Sequence, residues 1–261
     1  MTYSDHQLTL LKRMGIDVWV SRDQQESFSE EEYTASLASD HHENADTVDE
    51  AEPITHQPPI KGESSIPAAR GELKTAQEVM ESLEEAVRLC QKCSLCSSRS
   101  NTVFGAGQIP ATWMFVGEAP GQNEDQQGLP FVGRAGKLLD LMLRALGVER
   151  KSVYISNVLK CRPPGNRDPL PEEVEQCEPY LLSQLEQIQP QVIVALGRIS
   201  AQALLKTSEP LGRLRGRVHH YGASQIPLIA TYHPAYLLRS PEQKSRSWDD
   251  LWLAKTLVDQ G

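Results

Sequence analysis

The chain has 261 residues, is 39% hydrophobic and 23% charged, and carries a formal net charge of -9, which leaves ample apolar side chain for a core. No run reaches the length of a membrane span, and MTYSDHQLTLLKRMGIDVWVSRD lacks the basic, apolar and small-residue regions of a secretion signal, so a cytoplasmic protein with reduced thiols is expected. The negative charge does not exclude a polyanionic partner, because residues 1–75 hold 15 acidic and 6 basic residues while residues 76–261 hold 20 of each, and a balanced domain can still present a local basic face.

In chain order, residues 1–26 form a short apolar peptide around LTLLKRMGIDVWV, expected either to dock a protein partner or to pack on the domain. Residues 27–71 are acidic, carry Ser and Pro and have few large apolar side chains, the composition of a disordered linker. His41 and His42 fall there and read as solvated. The globular pattern occupies residues 72–261. AQEVMESLEEAVRLC repeats Val79, Leu83 and Val87 at helical spacing, and TWMFVGE, SVYISNVL, QVIVALG and IPLIATYHP read as buried strands. Helical patterns separate them: GRAGKLLDLMLRALG, PEEVEQCEPYLLSQLEQI and RISAQALLK. That alternation predicts an α/β protein, a three-layer α/β/α sandwich around a central four-stranded parallel sheet, with the disordered acidic N-terminal extension outside it.

Five cysteines punctuate this pattern. Cys90 and Cys93 form a C-x2-C pair at the end of the first helix of the domain, and Cys161 and Cys177 form a C-x15-C pair after the second strand. Four thiolates suit zinc or an iron–sulfur cluster, and spacing does not choose between those two and unligated core thiols. Cys96 is surplus to a tetrad.

In parallel sheets functional groups gather at the carboxyl ends of strands, and Glu118, Asn157 and His233 sit there. VGEAPGQNEDQQGLPFVGRAGKLLD places a Gly/Pro loop after the first strand, then Phe131 and a basic helix start with Arg134 and Lys137. Taken alone it reads as an ordinary βα turn, and it matches neither phosphate-loop pattern. In TYHPAYLLRS, Tyr236, Leu237, Leu238 and Arg239 follow the histidine between two prolines. The leucines are either an apolar wedge for a base stack or core packing against the final helix SWDDLWLAKTLV.

The segments GEAPGQNED, PFVGRAG, NVLKCRPPGNRDPLP, LG and HPAYLLR resemble, in order and spacing, the family 4 uracil-DNA glycosylases, the iron–sulfur branch of that superfamily. The resemblance covers about residues 76–258 and excludes the first 75. It implies a monomeric repair enzyme that releases uracil from uracil-containing DNA and leaves an abasic site, with Cys90, Cys93, Cys161 and Cys177 holding a structural [4Fe–4S] cluster and Cys96 not required. The cluster would tie the first helix to the loop after the second strand and so fix Asn157, Lys160, Arg162 and Arg167 relative to DNA. In this reading Phe131 stacks on the flipped base, and Asn157 recognises its edge. Glu124 blocks the thymine methyl, while His233 and the N–H groups of Gly117, Glu118 and Ala119 stabilise charge on uracil O2. Leu237 or Leu238 fills the gap, Arg239 grips a phosphate, and Arg134, Lys137, Arg162 and Tyr236 face DNA. Better-known relatives place a carboxylate where Ala119 stands, which leaves Glu118 as the neighbour able to assist the water. The contrasting expectations are a non-catalytic nucleic-acid-binding iron–sulfur module, which the retained Asn157 and His233 argue against, and a zinc-stabilised nucleotide-binding protein.

Overall fold

The computed structural model of the chain describes residues 4–16 and 75–260. The expected linker, residues 27–71, lies outside the described residues. Six strands form one mixed sheet: β1 (Ala106–Gly107), β2 (Trp113–Gly117), β3 (Tyr154–Asn157), β4 (Val192–Leu196), β5 (Val218–Tyr221) and β6 (Ile226–Thr231), in the spatial order β1-β3-β2-β4-β6-β5. The four-stranded expectation is therefore corrected. The anticipated strands are the inner four and run parallel, while β1 and β5 close the two edges in antiparallel pairing. Every residue of β2 and β4 is buried, which is why both read as unbroken apolar runs.

Helices cover each face of the sheet. Trp113, Phe115, Ile155, Val194 and Ile229 point into one core, shared with α4 (Arg134–Leu146), α8 (Pro234–Leu237) and α9 (Lys244–Gln260). Met114, Val116, Tyr154, Ile193 and Leu228 point into the other, shared with α2 (Ala76–Arg88), α5 (Pro171–Ile188) and α6 (Arg198–Leu205). The shorter helices are α3 (Gln122–Gln127), directly after β2, and α7 (Leu211–Leu214), before β5.

The first part of the N-terminal apolar island lies in α1 (Asp5–Arg13), which packs on α4, and residues 17–20 of the island lie outside the described residues. The N-terminus of α1 carries a capping box of Ser4 and Gln7, which satisfies orphan N–H groups from both directions. Leu10, Leu11, Met14 and Ile16 are all buried in the first core. Among the described residues no helix is long and apolar enough to cross a membrane.

Candidate active site

The carboxyl ends of β2, β3 and β6 open into one cleft of about 430 Å³ that Glu118, Ala119, Glu124, Phe131, Asn157 and His233 all line. Parallel register sets Gly117 beside Asn157. The pairing continues beyond the strands, with Val158 N–H donating to Gly117 O and Leu159 N–H to Glu118 O, both at 3.0 Å. The loop that carries Glu118 and the loop that leads to the cysteines therefore leave the sheet as one unit.

Asn157 is only 2% exposed. Its Oδ1 is the buried side-chain polar atom without a hydrogen-bond partner among the described residues. A buried amide oxygen left unpaired costs about 1–3 kcal/mol, so its place in the cleft marks it as an acceptor for an incoming N–H. A Cβ on Gly117 would stand 2.3 Å from that oxygen and 2.8 Å from Phe131 Cζ. Glycine is what lets the amide and the ring meet there.

Phe131 has φ 53°, a left-handed conformation that bulky residues avoid, and three contacts hold it. Glu124 Oε1 accepts from Val132 N–H and Gly133 N–H, each at 2.9 Å. Arg150 donates to Pro130 O at 2.7 Å. Gly136 allows α4 to start against the loop, since a Cβ there would lie 1.7 Å from Phe131 O. The Phe131 ring centroid then stands 5.5 Å from that of His233.

His233 caps α8, and its Nδ1 accepts from Ala235 N–H at 3.1 Å. The ring proton of the neutral imidazole must then sit on Nε2 as a donor. Burial, reinforced by the nearby Arg239 charge, pushes its pKa down to about 4. Glu118 moves the other way: burial and then the Asp168 carboxylate raise it, against the opposing Arg198. Arg198 itself pairs with Asp168 at 2.7 Å.

Two sequence expectations change. Lys160 does not face outward: it is 1% exposed, and its Nζ donates to Ser156 Oγ at 2.6 Å, Asn157 O at 2.8 Å and Gln184 Oε1 at 2.6 Å. Leu237 is core, 1% exposed, whereas Leu238 is 36% exposed, because a single helical turn sends adjacent side chains to opposite sides. Arg167 is held by Glu173 in a paired contact at 2.9 and 2.6 Å. Glu124 lines the cleft, and its Oε1 also accepts from the Phe131 loop. Tyr236 and Arg239 line the cleft. Arg134 and Lys137 are exposed on the first turn of α4, and Arg162 bonds Asn166 Oδ1 at 2.8 Å. Sequence reasoning missed Asn166 and Asp168 as lining groups, although the turn-forming GNRDP segment signals a loop of this kind.

On the far side of Lys160, Cys90, Cys93, Cys96, Cys161 and Cys177 line one shared cavity, and none is in a disulfide. Arg99 donates to Cys161 Sγ at 3.1 Å and to Cys90 O at 2.9 Å, and Lys160 N–H donates to Cys177 Sγ at 3.3 Å. Donors and a cation placed on sulfur suit an anionic thiolate-bound group. Among the described residues no three His, Cys, Asp or Glu side chains are grouped to hold a single metal ion.

An α/β sheet with an amide, an imidazole and an aromatic ring gathered at its strand ends defines a pocket for a planar polar ring. The family model of the uracil DNA glycosylase superfamily matches residues 104–254. The chain is 48% identical over 180 residues to a type-4 uracil-DNA glycosylase of Archaeoglobus fulgidus, covering 66% of this chain and 90% of that protein. It is 46% identical over 178 residues to the type-4 enzyme of Pyrobaculum aerophilum, covering 66% and 91%. The Thermotoga maritima type-4 enzyme matches at 43% over 188 residues, covering 70% and 97%. The chain belongs to the uracil-DNA glycosylase superfamily, and within it to the type-4 uracil-DNA glycosylases.

Proposed function

We propose that the protein hydrolyses the N-glycosidic bond between uracil and deoxyribose in DNA, releasing uracil and leaving an abasic site. The observation that carries this reading is the unpartnered Asn157 Oδ1 in the cleft that the neutral His233 also lines. Uracil offers N3–H to the amide oxygen and O4 to the amide N–H, while cytosine offers the reverse polarity and would leave buried groups mispaired. As the bond from C1′ to N1 breaks, negative charge gathers on the ring. His233 Nε2–H and the N–H groups of the Gly117 to Ala119 loop are the donors for O2, each worth about 3 kcal/mol. Water adds to C1′, and its proton goes to the departing base or to solvent.

A base within a duplex must be unstacked to enter such a cleft. Leu238 is the apolar side chain exposed to fill the gap, with Arg239, Tyr236, Arg134, Lys137 and Arg162 towards the backbone. Phe131 supplies the stacking face. Glu118, beside the non-ionisable Ala119, orients the water from the cleft wall. The enzyme acts as a cytoplasmic monomer. The burial of Leu10, Leu11, Met14 and Ile16 favours a place for α1 in the domain over one on a protein partner.

Cys90, Cys93, Cys161 and Cys177 would hold a [4Fe–4S] cluster, which when bound supplies a rigid cross-link and no reaction step. Thiols spread around a cavity, with Arg99 and Lys160 N–H on two of the sulfurs, fit a multinuclear group better than one zinc ion. Purification without oxygen, followed by an absorption spectrum and a uracil-release assay on the same sample, tests both statements. A brown protein that leaves deoxyuridine intact would instead support the non-catalytic iron–sulfur module, and a colourless active one would remove the cluster.

A further inference from the structure

The family model starts at residue 104, so α1 lies outside it, yet the turn that ends α1 shares one cavity with the helix that follows His233. Its C-terminus is a Schellman turn, in which Gly15 N–H donates to Lys12 O and Ile16 N–H to Leu11 O, both at 2.9 Å. This motif turns the chain through a left-handed residue and sends the following apolar side chain back against the helix. Gly15 meets the requirement with φ 73°. The result is that Met14 and Ile16 line a small cavity together with Leu138 and Met142 of α4, Leu237 of α8 and Trp248 of α9. Gln7 adds a polar tie, donating from Nε2 to Ala145 O in the last turn of α4 at 3.1 Å, where helix carbonyls lack internal partners.

Leu237 is the underside of α8. The same turn presents His233 at its start and leads into Arg239, and both line the cleft. The amides of Tyr236 and Leu237 donate to His233 O at 2.9 and 3.2 Å, so a shift of Leu237 moves the imidazole with it. Only one helical turn separates the supported side chain from the working one.

We propose that α1 is a buttress for the DNA-reading turn, with Met14 and Ile16 as positioning residues that hold α8, through Leu237, at the height where His233 meets the base. The inference rests on the glycosylase reading for its kinetic consequence and on geometry alone for its structural one. Losing the support lets α8 drop into the cavity, and displacement of a catalytic donor by an ångström costs up to about a hundredfold in rate.

The test uses the full chain and compares Ile16→Ala and the milder Ile16→Val with Leu10→Ala, a buried α1 residue that does not line this cavity. Amide hydrogen exchange of residues 235–240 is expected to quicken in the Ile16 variants and stay at the wild-type level in Leu10→Ala. Single-turnover uracil release should fall about tenfold or more in Ile16→Ala at temperatures where melting curves show every variant folded. Ile16→Val should lie between it and wild type. Equal exchange and equal rates in Ile16→Ala and Leu10→Ala would overturn the proposal, because α1 would then act through overall stability alone. If Ile16→Ala does not fold, the same comparison is read from Ile16→Val. A wild-type chain that releases no uracil would remove the functional reading, while the exchange comparison would still decide the buttress.

Discussion

Lys160 Nζ donates to the main-chain carbonyl of Asn157 at 2.8 Å, and the backbone N–H of the same lysine donates to Cys177 Sγ at 3.3 Å. One buried residue therefore spans the gap between the cysteine cavity and the amide in the cleft. Its other two bonds go to Ser156 Oγ and Gln184 Oε1, so all three protons of the ammonium have acceptors. Replacing Lys160 with Met takes this donor from Asn157 O and Ser156 Oγ, while Gln184 Oε1 still accepts from Ser156 Oγ at 2.9 Å, and a buried neutral acceptor left unpaired costs about 1–3 kcal/mol. Lys160→Met should lower the urea midpoint and also weaken uracil release in the fraction that remains folded. Unchanged release by folded Lys160→Met would show that the lysine supports the fold and not Asn157.

Gly117→Ala tests the close approach of Asn157 and Phe131. The added methyl would meet Asn157 Oδ1 at 2.3 Å and Phe131 Cζ at 2.8 Å, and both belong to side chains that can swing away. The protein is expected to fold, with a loss of stability of about 1–3 kcal/mol from overpacking. Uracil release should drop by at least two decades, since the recognising amide and the stacking ring are displaced together. A melting curve and a single-turnover assay on the same preparation separate the two effects.

His233 has a folded-state pKa of about 4 against an ordinary value of 6.5. Between those two values the unfolded chain takes up a proton that the folded chain refuses, so stability present above pH 6.5 is lost as pH falls towards 4. Protonation also turns Nδ1 into a donor facing Ala235 N–H, which breaks the cap on α8. Uracil release should show no inflection near pH 6.5 and an acid limb near pH 4. His233→Gln should flatten the stability change across this window, measured as the urea midpoint at pH 7 and pH 4.5. His233→Ala and Asn157→Ala should each cost far more activity than Glu118→Gln.

How much of this was legible in the sequence follows from burial. β2 and β4 are covered on both faces and read directly as apolar runs, and α4 and α5 show their helical spacing. β1 is two residues long and β5 is Val-His-His-Tyr at an edge, so neither carries a hydrophobic pattern to detect. Lys160 sits among Arg and Pro in a segment that looks solvated, and only Gln184 and Ser156, brought in by α5 and β3, make it internal. Leu237 and Leu238 occupy a turn too short for periodicity to assign one inside and one outside. Asn157 and His233 could be singled out because each falls at a strand end, where a parallel sheet gathers its chemistry, whereas Phe131, beyond α3, was pointed to by the family resemblance alone.

That pair of leucines makes a separate prediction. Leu237→Ala removes a fully buried side chain and should cost about 2–5 kcal/mol of stability. Leu238→Ala removes an exposed one and should leave the melting curve almost unchanged. If Leu238 fills the space of an extruded nucleotide, its truncation should slow uracil release from duplex DNA and spare release from single strands, where no stack has to be held open. Equal losses on both substrates would assign Leu238 to general backbone contact.

The fifth thiol is the sharpest test of the cysteine cavity, since Cys96 lines it with the other four. Cys96→Ser should retain iron, the absorption band of the purified protein and uracil release. Cys161→Ser removes a sulfur that accepts from Arg99 at 3.1 Å and joins the loop carrying Asn157 to the end of α2. That variant should lose iron and fall in thermal stability, and its uracil release should decay with the folded fraction rather than stop at once, because the proposed cluster braces the loop and takes no part in bond breaking. Iron content per chain, measured beside the melting temperature for both variants, separates a ligand from a neighbour. If Cys96→Ser loses iron as fully as Cys161→Ser does, the tetrad is misassigned and Cys96 belongs in it.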